Sequence, residues 1–254
     1  MLRILDCVEN KMNDRLLKQS FLFTYLLGLV AHAYCFLNLT ISHDSLRAFY
    51  IAAKWPKASL GRIFYSAYIA LTRGKFVVPW LIGVLALFWL SIAVYLIARM
   101  FQMERRVFVL LIAGICVTNP SIYATAATYL HDLDANSFAI LLAVTAVWLW
   151  NQAMAKKDSK EKFICLGIGA LILSIALGIY QSFISVAITL IMLLSLKKLL
   201  DGEKAVKVFF DGIFGIGMLA VTAVLYLLEV KIFTQYTGIS ILDNESYNGL
   251  GNMS

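Results

Sequence analysis

The chain has 254 residues with a formal net charge of +7, 61% hydrophobic and 15% charged residues, and a mean hydropathy of +0.81. That balance excludes an ordinary soluble domain; a disordered chain would be richer in charge, and a collagen would be far richer in glycine and proline. What remains is a protein that crosses a membrane several times, and its basic residues stand mostly in short runs between apolar segments, where they set orientation rather than bind nucleic acid.

A spanning helix must close its own backbone hydrogen bonds across roughly 30 Å of hydrocarbon, so each crossing needs about 20 apolar residues between charges. The first predicted span covers residues 20–38. Its apolar run before Ala31-His32-Ala33 resembles a signal peptide, but Asp6, Glu9 and Asp14 precede it and predict an uncleaved helix. His32 within it reads as a hydrogen-bonded packing residue. Residues 39–75 form a long loop, in which 59–75 reads as an interfacial helix laying Ile63, Phe64, Tyr68 and Leu71 on lipid. In that arrangement Lys54, Lys57, Arg73 and Lys75 reach lipid headgroups.

Further spans are predicted at 76–98, 107–130 and 135–155, and a last one between Asp211 and Glu229. Residues 163–196 carry no charge over 34 positions, which as one helix would measure about 51 Å. Lys156, Lys157, Lys160 and Lys162 precede this stretch, and Lys197, Lys198, Lys204 and Lys207 follow it. Positive-inside pairing puts both flanks in the cytoplasm, so the stretch must be a helical hairpin with its tip at Tyr180-Gln181-Ser182. The sum is an all-α, polytopic membrane bundle of about seven helices forming a single membrane domain over 1–254. Its N-terminal residues 1–19 are cytoplasmic, and 231–254 is an outer C-terminal segment that reads as truncated. Cys7, Cys35, Cys116 and Cys165 lack the spacing of a disulfide framework or a zinc site.

In this topology six basic residues, Arg47, Lys54, Lys57, Arg62, Arg73 and Lys75, crowd the first outer loop against the usual bias. Long loops translocate regardless of charge, so either membrane contact or ligand binding accounts for them. Three polar groups face outward: His43-Asp44-Ser45 with Gly61-Arg62, His131-Asp132-Leu133-Asp134-Ala135-Asn136, and Tyr180-Gln181-Ser182. Asp44, and Asp134 or Asn136, can be helix N-caps in solvated turns. Alternatively, a surface carboxylate can act as general base on a hydroxyl while basic side chains hold a phosphate leaving group. Those are the needs of a transferase that moves a sugar from a lipid-linked phosphate to a hydroxyl. His131, Asp132 and Asp134 with Asp44 can also gather a divalent metal.

At these residues the chain resembles the bacterial and phage membrane glucosyltransferase II family, which modifies O-antigen and related surface glycans. The resemblance is carried by His43-Asp44-Ser45, Gly61-Arg62, Pro79-Trp80-Leu81, Val117-Thr118-Asn119-Pro120-Ser121, the run from Tyr129 to Asn136, and Leu177-Gly178-Ile179-Tyr180-Gln181-Ser182. It implies a GT-C-like bundle in the bacterial cytoplasmic membrane, with a polyprenyl-phosphate sugar as donor, a surface glycan as acceptor, and no nucleic-acid partner. Carried over by position, Asp44 matches the acidic base of the first outer loop, and Asp132 and Asp134 match the acidic second turn. Arg62, Arg47 and His43 are then the candidates for the donor phosphate, and Tyr180, Gln181 and His131 those for the sugar or acceptor. No cofactor is implied, and a divalent metal stays open. A lipid-linked-sugar transporter or flippase would instead show ionisable residues at mid-membrane depth, which the predicted spans lack apart from His32, and a non-catalytic membrane subunit would show no convergence of polar groups.

Overall fold

The computed structural model describes residues 14–38, 57–74, 76–239 and 241. Among them every regular element is helical. These are α1 (Asp14–Leu37), α2 (Tyr65–Thr72), α3 (Pro79–Phe101), α4 (Arg106–Thr118), α5 (Pro120–Thr128), α6 (Leu133–Met154), α7 (Ser159–Ile179), α8 (Ile184–Leu200) and α9 (Ala205–Thr237), with short 3-10 turns at Ala58–Leu60, Leu130–Asp132 and Gln181–Phe183. Among the described residues six helices are long and apolar enough to cross a membrane, or seven if the bent pair α4 and α5 is one span. This matches the expected polytopic bundle. The chain divides into two compact units, one of residues 1–48 and 78–141, the other of 49–77 and 142–254.

In the first unit α1 and α3 run antiparallel, from Phe21 against Phe88, with ring centroids 5.6 Å apart, to Phe36 over Gly83. Glycine is needed at that crossing, because a Cβ on Gly83 would come within 2.5 Å of the Phe36 ring. Leu16 of α1, Val94, Tyr95 and Ala98 of α3, and Val109 and Ala113 of α4 form one buried cluster of its core. The span predicted at 107–130 is broken, with a 44° bend between α4 and α5. Proline explains the break: Pro120 has no N–H to continue the ladder, and it forces Asn119 into an extended conformation with ψ 151°. Asn119 serves both sides of the bend. Its Nδ2 donates to Cys116 O at 2.9 Å, and its Oδ1 accepts from Ile122 N at 3.0 Å as the N-cap of α5. The next freed carbonyl, Val117 O, accepts from His32 Nε2 at 2.9 Å. His32 is therefore the buried, hydrogen-bonded packing residue that the sequence suggested.

In the second unit the charge-free stretch is two helices, α7 and α8, parted at Tyr180, whose extended backbone (φ −159°, ψ 117°) ends α7. α9 packs against both. It is longer than predicted: its 33 residues run past Asp211 and Glu229 on either side, so residues 231–237 are helical and not part of a loop. Near the start of α9, Asp211 pairs with Lys198 at 2.8 Å, and its carbonyl accepts from the fully buried Trp150 Nε1 at 3.1 Å. Gly215 lets α9 approach Trp150 and Ile191, which a Cβ there would meet at 3.3 and 3.2 Å.

The interfacial helix expected over 59–75 is corrected. Only Tyr65–Thr72 is α-helical, and Ile63 and Tyr68 are buried in the protein, leaving Leu71 as the exposed member of the expected lipid face. The segment folds inward because its backbone is tied to α7: Phe64 N donates to Gly178 O at 2.8 Å. Arg73 does not reach out to headgroups either. It is buried and donates from Nη1 to Phe76 O at 2.8 Å, while Lys57 Nζ lies 4.7 Å from the Tyr65 ring centre.

Candidate functional site

His43, Asp44 and Arg47 lie outside the described residues, as do Lys54 and Lys75. The remaining site candidates fall into two groups, one in each unit.

The first group is the acidic turn. Tyr129 N donates to Thr125 O at 2.8 Å and ends α5; a 3-10 turn over Leu130–Asp132 then leads straight into α6. The helix starts at Leu133, so Asp134 sits inside its first turn and not at a cap. The solvated-turn reading is overturned by burial: His131 is 5%, Asp132 3% and Asp134 0% exposed. His131 Nε2 lies 3.5 Å from Asp132 Oδ1. Removing carboxylates from water is costly, so a turn that buries two of them must supply partners from the protein in place of water. Among the described residues no three His, Cys, Asp or Glu side chains are grouped to hold a metal ion. Asp44, the fourth member of that expected set, lies outside them.

The second group is a docked loop. Lys57 and Gly61 both take positive φ, 65° and 76°, on either side of the 3-10 turn Ala58–Leu60, and this turns the chain sharply before Arg62. The loop is held from the α7–α8 turn and from α9. Gln181 Nε2 donates to Leu60 O at 2.7 Å and to Tyr226 Oη at 2.8 Å, and Tyr226 Oη donates to Gly61 O at 3.1 Å. A Cβ on Gly61 would fall 2.5 Å from Tyr226 Oη and 2.6 Å from Gln181 Nε2, so the backbone approaches too closely for any other residue to fit without movement. Arg62 then stacks on Tyr180, its guanidinium carbon 4.1 Å from the ring centre. Stacking fixes the plane of the guanidinium.

The structure therefore brings together Arg62, Tyr180 and Gln181, which the sequence assigned to different ligands. One Gln181 amide proton is engaged by the loop and the other by Tyr226, and Ser182 is exposed. Sequence reading missed Tyr226 and Glu229 of α9. Glu229 Oε1 accepts from Ser174 Oγ at 2.8 Å, while Oε2 is buried with no hydrogen bond. A tyrosine among apolar helix residues carried no signal, and Glu229 was read as a helix end.

Large apolar side chains point outward along the long helices, among them Leu26, Val30, Ile115, Met192, Phe209 and Ile216. On a soluble protein such a surface would aggregate. Together with the closed backbones of long apolar helices, it defines a polytopic helical membrane protein. A family model described as glucosyl transferase GtrII matches residues 33–253, nearly the whole chain, and the chain belongs to that family of membrane glycosyltransferases. No curated protein and no solved structure matches it significantly.

Proposed function

We propose that the protein transfers a glucosyl or closely related residue from a polyprenyl-phosphate donor to a surface glycan such as O-antigen, at the outer face of the bacterial cytoplasmic membrane and on a GT-C-like scaffold. The observation that carries this reading is the family match over residues 33–253, which encloses all three polar groups. In the proposed reaction an acceptor hydroxyl oxygen attacks the anomeric carbon as the bond from that carbon to the phosphate oxygen breaks. Asp44 takes the hydroxyl proton, and polyprenyl phosphate leaves with the bonding electron pair. Arg62, with Arg47 and His43 from the same loop, offsets the charge on the departing phosphate; a guanidinium can do so through two parallel hydrogen bonds. Asp132, Asp134 and His131 are assigned to the acceptor side, with either acid as the alternative base. Tyr180 is assigned to the donor side through its contact with Arg62.

The test is mass spectrometry of surface glycans from cells carrying the intact gene, no gene, or Asp44→Asn at equal membrane abundance. Asp44→Asn should remove the hexose increment, since losing a general base costs about 100-fold to 10,000-fold in rate. Unchanged glycans with Asp44→Asn refute the base assignment, and loss only with Asp132→Asn or Asp134→Asn moves it to the acidic turn. If the gene itself leaves no hexose increment, the transferase reading fails.

A further inference from the structure

We propose that Tyr226 and Gln181 are positioning residues: they form a latch from the last helix and the α7–α8 turn that fixes the Leu60-Gly61 backbone and so sets Arg62 against Tyr180. The proposal rests on the reading above in one respect, that Arg62 grips the donor phosphate. The latch itself stands on geometry. Three segments distant in sequence meet at one turn, and each atom has a defined share. Gln181 spends one amide proton on Leu60 O and the other on Tyr226 Oη, which leaves the tyrosine its own proton for Gly61 O. The chain is thus held at two consecutive carbonyls, with Gly61 pressed too close to both side-chain ends to carry a Cβ. On the far side of Arg62 the backbone is anchored again, where Phe64 N meets Gly178 O at 2.8 Å.

Arg62 therefore sits between two fixed points, and Tyr180 adjoins Gln181 in the same turn, so the surface beneath the guanidinium and the clamp on its backbone move together. A long cationic side chain in a flexible loop would lose much of its grip to rotamer entropy when a phosphate binds; a stacked one on a clamped backbone has lost that freedom beforehand. The latch gives the donor site preorganisation, and it does so from residues that do not touch the donor.

The experiment uses the full chain in lipid nanodiscs with a polyprenyl-phosphate glucose donor. Hydrogen exchange across residues 57–64 reads the latch, and donor KM and kcat read its consequence. Tyr226→Phe keeps the ring and its packing but deletes the oxygen. It should speed exchange in 57–64 and raise donor KM about tenfold, the scale of one or two hydrogen bonds, with kcat within about twofold. Gln181→Ala should do the same. In an Arg62→Lys background, Tyr226→Phe should add less than about twofold to KM, because both changes act through one contact. Unchanged exchange, or full additivity with Arg62→Lys, overturns the latch and leaves the donor assignment standing. If exchange rises as expected but Arg62→Lys leaves donor KM untouched, the donor assignment is what fails, and the positioning role falls with it.

Discussion

Gly61→Ala tests the docked loop at its tightest point. Two costs can be worked out. The residue holds φ +76°, and an L-residue in that left-handed region loses about 1–2 kcal/mol relative to glycine. The new methyl would also lie 2.5 Å from Tyr226 Oη and 2.6 Å from Gln181 Nε2. Both are side-chain ends and can retreat, but retreat breaks the bonds to Leu60 O and Gly61 O, worth about 1 kcal/mol each. The expected loss is about 3–4 kcal/mol, measured by denaturant titration of the protein in mixed micelles. Gly61→Asn separates the two terms, since asparagine tolerates positive φ while still carrying a Cβ; it should recover about 1 kcal/mol. Combining Gly61→Ala with Tyr226→Phe should cost less than the sum of the two, because the phenyl ring removes the clashing oxygen and the bond it made is already lost. A Gly61→Ala protein within about 0.5 kcal/mol of the parent would refute the close approach and the latch built on it.

Lys198→Met strands the Asp211 carboxylate beside Trp150 and should destabilise by about 3–5 kcal/mol, most of which Asp211→Leu in the same chain restores; equal stability of all three proteins in a thermal melt would show the pair to be served by water. His32→Phe leaves Val117 O without its donor at the helix break and should cost about 1–3 kcal/mol in the same melt, with His32→Gln losing less because its amide can still donate. Single cysteines in a cysteine-free background should be labelled by an impermeant reagent in intact cells at position 181 and protected at 157 and 198; labelling at 198 would reverse the orientation.

Hydropathy and charge were enough to read the helix count and the division of the charge-free stretch, because both follow from the thickness of the bilayer and the cost of an unpaired backbone. The break at Asn119-Pro120 was legible in principle, since an Asn-Pro pair both ends one helix and caps the next, but the apolar run through Leu130 outweighed it. The loop carrying Arg62 was read as lying on lipid because Ile63, Phe64, Tyr68 and Leu71 look amphipathic. Nothing local reveals that Gly178 leaves room for Phe64, whose ring a Cβ there would meet at 2.3 Å. Tyr226 stayed invisible for a related reason: its partners, Gln181 and Gly61, lie 45 and 165 positions away, and hydrogen bonds across that separation leave no periodic trace.

The length of α9 bears on the choice between a transferase and a transport path. Its acidic residues Asp211 and Glu229 are separated by 18 positions, about 27 Å along a helix axis, close to the roughly 30 Å of the hydrocarbon core. One end of that interval is held by the Lys198 ion pair. With Asp211 set at one boundary of the bilayer, Glu229, one turn beyond Tyr226, falls near the other. A transporter's ionisable residues gather near the bilayer midplane, whereas the α9 residues between these acids are uncharged. The Gly61 latch engages the helix one turn before Glu229, at the same boundary. In the proposed transferase Arg62 then stands at headgroup level, where the phosphate of a lipid-linked sugar would lie while its polyprenyl chain stays in the bilayer.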